Sequence, residues 1–179
     1  MELFEKIISS DTKYKGDVLT LRVDQVELSG GVQSVREIVE HNGAVGVVPV
    51  TRDGEVILVR QFRSASRKVM LELPAGKLEK GEDPFSCGER ELEEETGYVA
   101  GCMEKLTSYY SSPAILEEIL HLYIAFDLKP GKVHLDEDEF LECVKMPLAE
   151  IKQKIISGEI QDAKTIIGIL LAEQYLSKK

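Results

Sequence analysis

Apolar and polar positions alternate in short runs along most of this chain, and only near its end do they settle into helical spacing. Residues 17–28 (DVLTLRVDQVEL) are rich in Val and Leu with partial alternation, which predicts a strand. Ser29-Gly30-Gly31 predicts a turn and residues 33–40 (QSVREIVE) the returning strand, so an N-terminal β-hairpin is expected. The apolar, β-branched run 44–50 (AVGVVPV) suits a buried strand. Thr51-Arg52-Asp53-Gly54 reads as a turn and residues 55–62 (EVILVRQF) as the next strand. A short strand over 69–73 leads into Pro74-Ala75-Gly76 and a loop through Gly81. Asp83 as N-cap, Pro84 at the first helical position and Gly97 just past the end bracket a helix over 84–96. Further strands are expected at 105–110 and 118–126, around a Ser-Ser-Pro turn, and at 140–145. Helices over 147–157 and 162–177 close the chain. The second carries Ile166, Ile167, Leu170, Leu171 and Leu176 near helical spacing.

This order of elements predicts an α+β fold rather than regular βαβ alternation. No linker separates two halves, so one domain (43–179) with an N-terminal β-hairpin appendage (1–42) is expected. A hydrophobic content of 43% and a charged content of 30% fit a soluble globular chain. No apolar run reaches the roughly 18 residues needed to span a bilayer. The N-terminus lacks the pattern of a signal peptide, so a cytoplasmic protein is expected. The net charge of −10 argues against a nucleic-acid backbone as partner, yet leaves room for a small phosphorylated ligand bridged through cations. Cys87, Cys102 and Cys143 are odd in number and form no CxxC pair, which fits reduced thiols.

The candidate chemistry lies between Gly76 and Tyr98, GKLEKGEDPFSCGERELEEETGY. Glu91 and Glu95 are four apart and Glu91 and Glu94 three apart, so these carboxylates share a helix face. Phe85, Gly88, Leu92 and Thr96 fall on another face, the expected packing side, where Gly88 allows close approach to a sheet. Like charges stacked this way, near a helix C-terminus, are unfavourable unless solvated or compensated. Arg90 can compensate Glu94, four residues on, or reach back to Glu82. The remaining carboxylates suit a hard divalent cation such as Mg²⁺, which keeps positions open for phosphate oxygens.

The stretch matches the Nudix box, G-x5-E-x7-R-E-U-x-E-E-x-G-U, where U is bulky and apolar. It does so through Gly76, Glu82, Arg90, Glu91, Leu92, Glu94, Glu95, Gly97 and, most loosely, Tyr98. Seven fixed letters coincide by chance on the order of 10⁻⁷ per start position. The chain thus resembles the Nudix hydrolases, which cleave nucleoside diphosphates linked to a second group. That resemblance implies an α/β/α sandwich around a mixed sheet and Mg²⁺, with Mn²⁺ as a substitute. It implies metal ligation by Glu91, Glu95 and the Ala75 carbonyl, with Glu94 nearby, and a box loop steadied by Gly76, Glu82, Arg90 and Gly97.

Beyond the box the chain is similar to the ADP-ribose pyrophosphatase subfamily, through LELPAGKLEKGE (71–82) and Pro113, sixteen residues after Gly97. The likeness implies that Arg36 and Arg63 contact substrate phosphates or sit beside them, and that Ser112, Pro113 and Glu118 reach the substrate. It also implies that the acidic run Asp136–Glu139 carries the base, Glu137, and a further metal ligand, Glu139, with these two roles exchangeable. Glu94 and Glu95 complete the catalytic set. The N-terminal hairpin resembles a segment that builds a homodimer. Two departures stand out: Ala114 replaces the usual glycine after Pro113, and alanine tolerates positive φ less well; Gly16-Asp17-Val18-Leu19 offers no aromatic to stack on a base. The expected reaction is hydrolysis of ADP-ribose to AMP and ribose 5-phosphate. The alternatives are another NDP-sugar such as GDP-mannose, or a non-catalytic module that senses ADP-ribose. A role on nucleic acid, such as mRNA decapping, is opposed by the acidic balance. Elsewhere, His121 in an apolar run reads as a packed or hydrogen-bonded residue, Tyr109 and Tyr110 as pocket or core, and Glu117 as a solvated strand edge.

Overall fold

The computed structural model describes residues 3–135 and 140–178. In chain order the first strands are β1 (Glu5–Lys15), β2 (Thr20–Leu28), β3 (Gln33–Glu40), β4 (Ala44–Pro49), β5 (Glu55–Arg63), β6 (Lys68–Glu72) and β7 (Ala75–Lys77). Helix α1 (Pro84–Thr96) follows. After it come β8 (Tyr98–Val99), β9 (Cys102–Tyr110), β10 (Ile119–Phe126), β11 (Lys129–Pro130) and β12 (Leu141–Pro147), then α2 (Leu148–Ile156) and α3 (Ala163–Leu176). The chain divides into two compact units, Met1–Gly43 with Tyr110–Ile119, and Ala44–Tyr109 with Leu120–Lys179.

In the first unit the expected hairpin is present. β2 and β3 pair antiparallel from Thr20↔Glu40 to Glu27↔Gln33, around Gly30 and Gly31, whose φ of 89° and 79° only glycine adopts without strain. A third strand joins it, so the hairpin is one edge of a sheet ordered β1-β2-β3. β1 escapes a reading by alternation because its pairing with β2 shifts register between Ile7 and Ser9 and between Thr12 and Tyr14. Such bulges break the two-residue period, and every residue of β1 is exposed, so no buried face marks it. The segment 110–119 is tied to β3 by Val39 N–H on the Ile115 carbonyl (2.7 Å) and Glu117 N–H on the Val39 carbonyl (3.0 Å). Arg22 reinforces the tie by bridging Asp24, Glu40 and Glu117.

The second unit is an α/β/α sandwich. Its central sheet is ordered β7-β4-β10-β9, with β4 and β10 parallel and β4 and β7 antiparallel, so the sheet is mixed. A second sheet, β12-β5-β6, and a short pair, β11-β8, flank it in sequence. Alternation along β4 and β10 divides the core. Val45, Val47, Tyr123 and Ala125 pack with Cys87 and Leu92 of α1. Val48, Leu122 and Ile124 pack with Leu73, Ile151 and, on α3, Ile169 and Ala172. Each fully buried aliphatic side chain contributes about 1.5–3 kcal/mol through burial. Gly88 brings α1 close to the sheet as expected, since a Cβ there meets Met103 Cε at 3.2 Å and Val45 Cγ2 at 3.3 Å. The packing face of α1 differs from expectation at one end: Cys87 is buried, whereas Phe85 lies at the rim, edge-on to Tyr123 with ring centroids 5.8 Å apart.

On the opposite face Gly168 plays the same part for α3. A Cβ at that position falls 2.6 Å from Leu73 Cδ1 and 3.2 Å from Val48 Cγ2. The larger Gly168→Val side chain has no space to enter, and this variant is expected to lose about 1–3 kcal/mol of stability by urea unfolding.

Candidate active site

Helix α1 starts and stops where its caps dictate. Asp83 Oδ2 accepts the Ser86 N–H at 3.0 Å, Pro84 occupies the first turn, and Gly97, at φ 70°, donates its N–H to the Glu93 carbonyl at 2.8 Å. One face of the helix lies along the short strand β7, read from the sequence as loop. Three residues at intervals of four make the contact. Cys87 Sγ donates to the Lys77 carbonyl at 3.6 Å. The Glu91 carboxyl sits against Gly76, where a Cβ would fall 1.8 Å from Glu91 Oε1. Glu95 Oε2 accepts the Ala75 N–H at 2.9 Å. Gly76 is therefore a seat for a carboxylate, and any larger residue expels Glu91 from it. Glu95 is only 3% exposed, and a carboxylate so placed requires hydrogen bonds of this kind. Burial pushes the Cys87 thiol up to about 12, so it serves packing rather than nucleophilic chemistry.

Arg90 organises the acidic side of the box. Its Nε and Nη2 donate to the two oxygens of Glu82 at 3.1 and 3.2 Å, and its Nη1 donates to Glu91 at 2.8 Å and Glu94 at 2.9 Å. Both roles anticipated for Arg90 are thus filled at once. Glu82 in turn accepts the Glu79 N–H at 2.8 Å, which closes the loop between β7 and α1. The last turn of α1 also holds the chain that follows it. His134 N–H donates to the Glu94 carbonyl at 3.1 Å, and the Cys143 thiol to the Glu95 carbonyl at 3.3 Å.

Just upstream, Arg63 on β5 grips the buried Glu72 with a two-bond fork, Nε to Oε1 and Nη2 to Oε2, both 2.8 Å. Lys164 on α3 binds the same carboxylate. Burial alone raises the Glu72 pKa, but Arg63 and Lys164 outweigh it and hold the carboxyl below its ordinary range. The hydrogen bonds to Glu72 raise the pKa of Arg63, against its burial, and the charges of Glu72, Glu95 and Asp162 add to the rise. Residues 72–75 are thereby fixed one by one: Leu73 N–H donates to Thr165 Oγ1 at 2.8 Å, and the Pro74 carbonyl accepts the Val47 N–H at 3.0 Å.

Arg36, Ser112, Pro113 and Glu118 lie in the first unit. Arg36 is engaged by Glu5 through Nε (2.9 Å) and Nη2 (2.6 Å). Ser112 and Pro113 open a tight turn in which Ser112 carbonyl oxygen accepts from Ile115 N–H and Leu116 N–H. Ala114 needs no positive φ in it, since the non-glycine residues with positive φ among those described are Arg67 and Asp127. Glu118 accepts from Ser111 Oγ at 2.5 Å and lies 3.6 Å from His41 Nδ1, while Glu117 is taken by Arg22 rather than solvated alone. Ser108 hydrogen-bonds His121, and Tyr109 packs on the core while Tyr110 is exposed. Glu137 and Glu139 lie outside the described residues. Sequence reading missed Glu72, Lys164 and Thr165. A charge inside the apolar run LEL was the available signal for Glu72; Lys164 and Thr165 had none.

Among the described residues no three His, Cys, Asp or Glu side chains gather closely enough to hold a metal ion. What is present is a pair of carboxylates on one helix face, Glu91 against Gly76 and Glu95 on the Ala75 N–H, and carboxylate oxygens are the donors that a hard divalent cation takes.

The Arg90 network has a pH signature. Arg90, hydrogen-bonded to Glu82, holds that carboxyl below its ordinary range. A lowered folded-state pKa stabilises fully above the unfolded value, about 4.3, and the gain is lost as pH falls through the folded value. Glu82→Gln is therefore expected to be less stable than wild type near neutrality, and the gap in Tm is expected to narrow as thermal melts are taken down through the acid range.

Comparison with known proteins agrees with this geometry. Residues 40–166 match the NUDIX domain family. The chain is 45% identical over 179 residues to an ADP-ribose pyrophosphatase of Bacillus subtilis (strain 168), covering 99% of this chain and 95% of that protein. It is 46% identical over 174 residues to a methanol dehydrogenase activator of Bacillus methanolicus, covering 96% and 92%. A crystal structure of an ADP compounds hydrolase superposes with a TM-score of 0.88 at 26% identity, over 99% of this chain and 97% of that one. With its box residues assembled on α1 and β7 and this match along most of its length, the chain belongs to the NUDIX domain family.

Proposed function

We propose that this protein hydrolyses the pyrophosphate bond of ADP-ribose, giving AMP and ribose 5-phosphate, with Mg²⁺ as its cofactor and Mn²⁺ as a substitute. The observation that carries the chemistry is the juxtaposition of α1 and β7: Glu91 seated over Gly76, and Glu95 bonded to the Ala75 N–H. The substrate is supported by the near full-length similarity to an ADP-ribose pyrophosphatase.

In this reading Glu91, Glu95, the Ala75 carbonyl and Glu139 hold the divalent ion. When bound, the ion neutralises charge on the pyrophosphate oxygens. Arg36 and Arg63 add charge-assisted hydrogen bonds to phosphate oxygens. For Arg36 this means exchanging the Glu5 carboxylate for a phosphate, two anions that fit the same planar fork. Glu137 accepts the proton of the attacking water, and Glu94 assists. Ser112, Pro113 and Glu118 contact the sugar end. Two chains pair through residues 1–42, with 43–179 as the hydrolase domain. No described helix is long and apolar enough to cross a membrane, and the three free thiols fit a reducing cytoplasm. The likeness to an ADP compounds hydrolase favours a second reading, in which other ADP-containing diphosphates are also cleaved.

A product assay with Mg²⁺ separates these readings, comparing ADP-ribose, GDP-mannose, NADH and diadenosine polyphosphates. Preference for ADP-ribose with release of AMP and ribose 5-phosphate is expected. Cleavage of several ADP compounds at similar rates supports the second reading, and preference for GDP-mannose contradicts both. In the same assay Gly76→Ala, which displaces the Glu91 carboxyl, is expected to lower kcat/KM at least about a hundredfold, or roughly 2.7 kcal/mol of transition-state stabilisation.

A further inference from the structure

Glu72 sits on β6 three residues before Ala75, and its side chain is almost wholly buried. One arginine would be enough to pair it, yet two cations converge on it. Arg63 fills both carboxylate oxygens with Nε and Nη2, and Lys164, itself buried, adds its ammonium to Oε2. Burying an ammonium is costly unless it is fully paired. Here Lys164 lies between Glu72 and Asp162, whose carboxylate is 3.1 Å away. Asp162 also caps α3 by accepting from Thr165 N–H (2.9 Å) and Oγ1 (2.6 Å), and Thr165 Oγ1 in turn accepts the Leu73 N–H. The first turn of the C-terminal helix thus clamps the segment that leads into the Nudix box.

This arrangement has a geometric consequence for Arg63. Lys164 and Asp162 balance each other's charge, so Arg63 and Glu72 keep their own pairing inside a neutral four-group cluster. The fork spends Nε and Nη2 on Glu72 and leaves the donors of the second amino group, Nη1, for another acceptor. Arg63 is 42% exposed, and its Nη1 makes no hydrogen bond among the described residues. The charge of Glu95, on the box helix, also favours the charged form of Arg63.

We propose that Lys164 is a positioning residue for pyrophosphate hydrolysis: by sharing Glu72 with Arg63 it fixes the Arg63 fork, with the Nη1 donors left available to a substrate phosphate oxygen. Thr165 completes the clamp by holding Leu73. The inference rests on the reading of Arg63 as a phosphate-contacting residue.

A double-mutant cycle on the full chain with Mg²⁺ and ADP-ribose tests it, using Arg63→Ala, Lys164→Met and the pair together. Lys164→Met is expected to raise KM about tenfold with kcat little changed, because Arg63 binds phosphate in the ground state and the transition state alike. The double variant is expected to be no worse in kcat/KM than Arg63→Ala alone. A double variant whose loss equals the product of the two single losses, or a Lys164→Met enzyme with normal KM, overturns the role of Lys164. An Arg63→Ala enzyme with normal kcat/KM instead overturns the reading of Arg63 beneath it. Should Lys164→Met fail to fold, Lys164→Gln keeps a donor for Glu72 without the charge, and the same cycle with the same outcomes applies.

Discussion

A carboxylate buried as deeply as Glu95 must find hydrogen-bond donors or destabilise the fold, and one such donor is the backbone N–H of Ala75. That bond helps set the register of α1 on β7. Four residues earlier on the helix, Glu91 then falls on Gly76, and four earlier again Cys87 falls on Lys77. A helix crossing a strand at this spacing keeps the second carboxylate where it lies only if the strand residue beneath it leaves that space open. Gly76 meets that demand. The opposite end of the same short segment is fixed by Glu72, Leu73 and Pro74, each bonded to a different element. Residues of α3, Lys164 and Thr165, thereby fix the segment that leads into the box.

The second constraint is charge. Glu82, Glu91 and Glu94 repel one another, and Arg90 is the cation that joins all three. The pattern reconciles two demands that a chain of net charge −10 sharpens. The carboxylates stay close together, as cation binding requires, while Arg90 offsets their repulsion at that helix face. Glu95 is also held by the Ala75 N–H, so both backbone and side-chain bonds position the acidic residues of α1.

Much of this was legible in the sequence where local chemistry decides the outcome. The helix 84–96 was bounded to the residue because Asp83, Pro84 and Gly97 each act through backbone geometry at its ends. The box residues were legible because their spacing is fixed by one helix and one loop. Legibility failed where structure depends on pairing across the chain. β1 carries bulges and no buried face, so its period is broken. β7 is three residues of Ala, Gly and Lys that are a strand only because β4 lies beside them. The Glu72–Lys164 pair joins residues 92 apart; the charge within LEL marks Glu72, but nothing local marks its partner. Arg36 and Arg63 were identified as candidates, but the carboxylates that hold them, Glu5 and Glu72, came to light only in three dimensions.

The claim on which the function rests is that Glu95, fixed by Ala75, helps hold a divalent cation. Titration of Mn²⁺ into the protein, followed by the loss of free-ion electron paramagnetic resonance signal, measures this without turnover. Wild type is expected to bind Mn²⁺ at least about tenfold more tightly than Glu95→Gln, a difference of about 1.4 kcal/mol, with the variant still folded by circular dichroism. Equal affinity in a folded Glu95→Gln protein would contradict it.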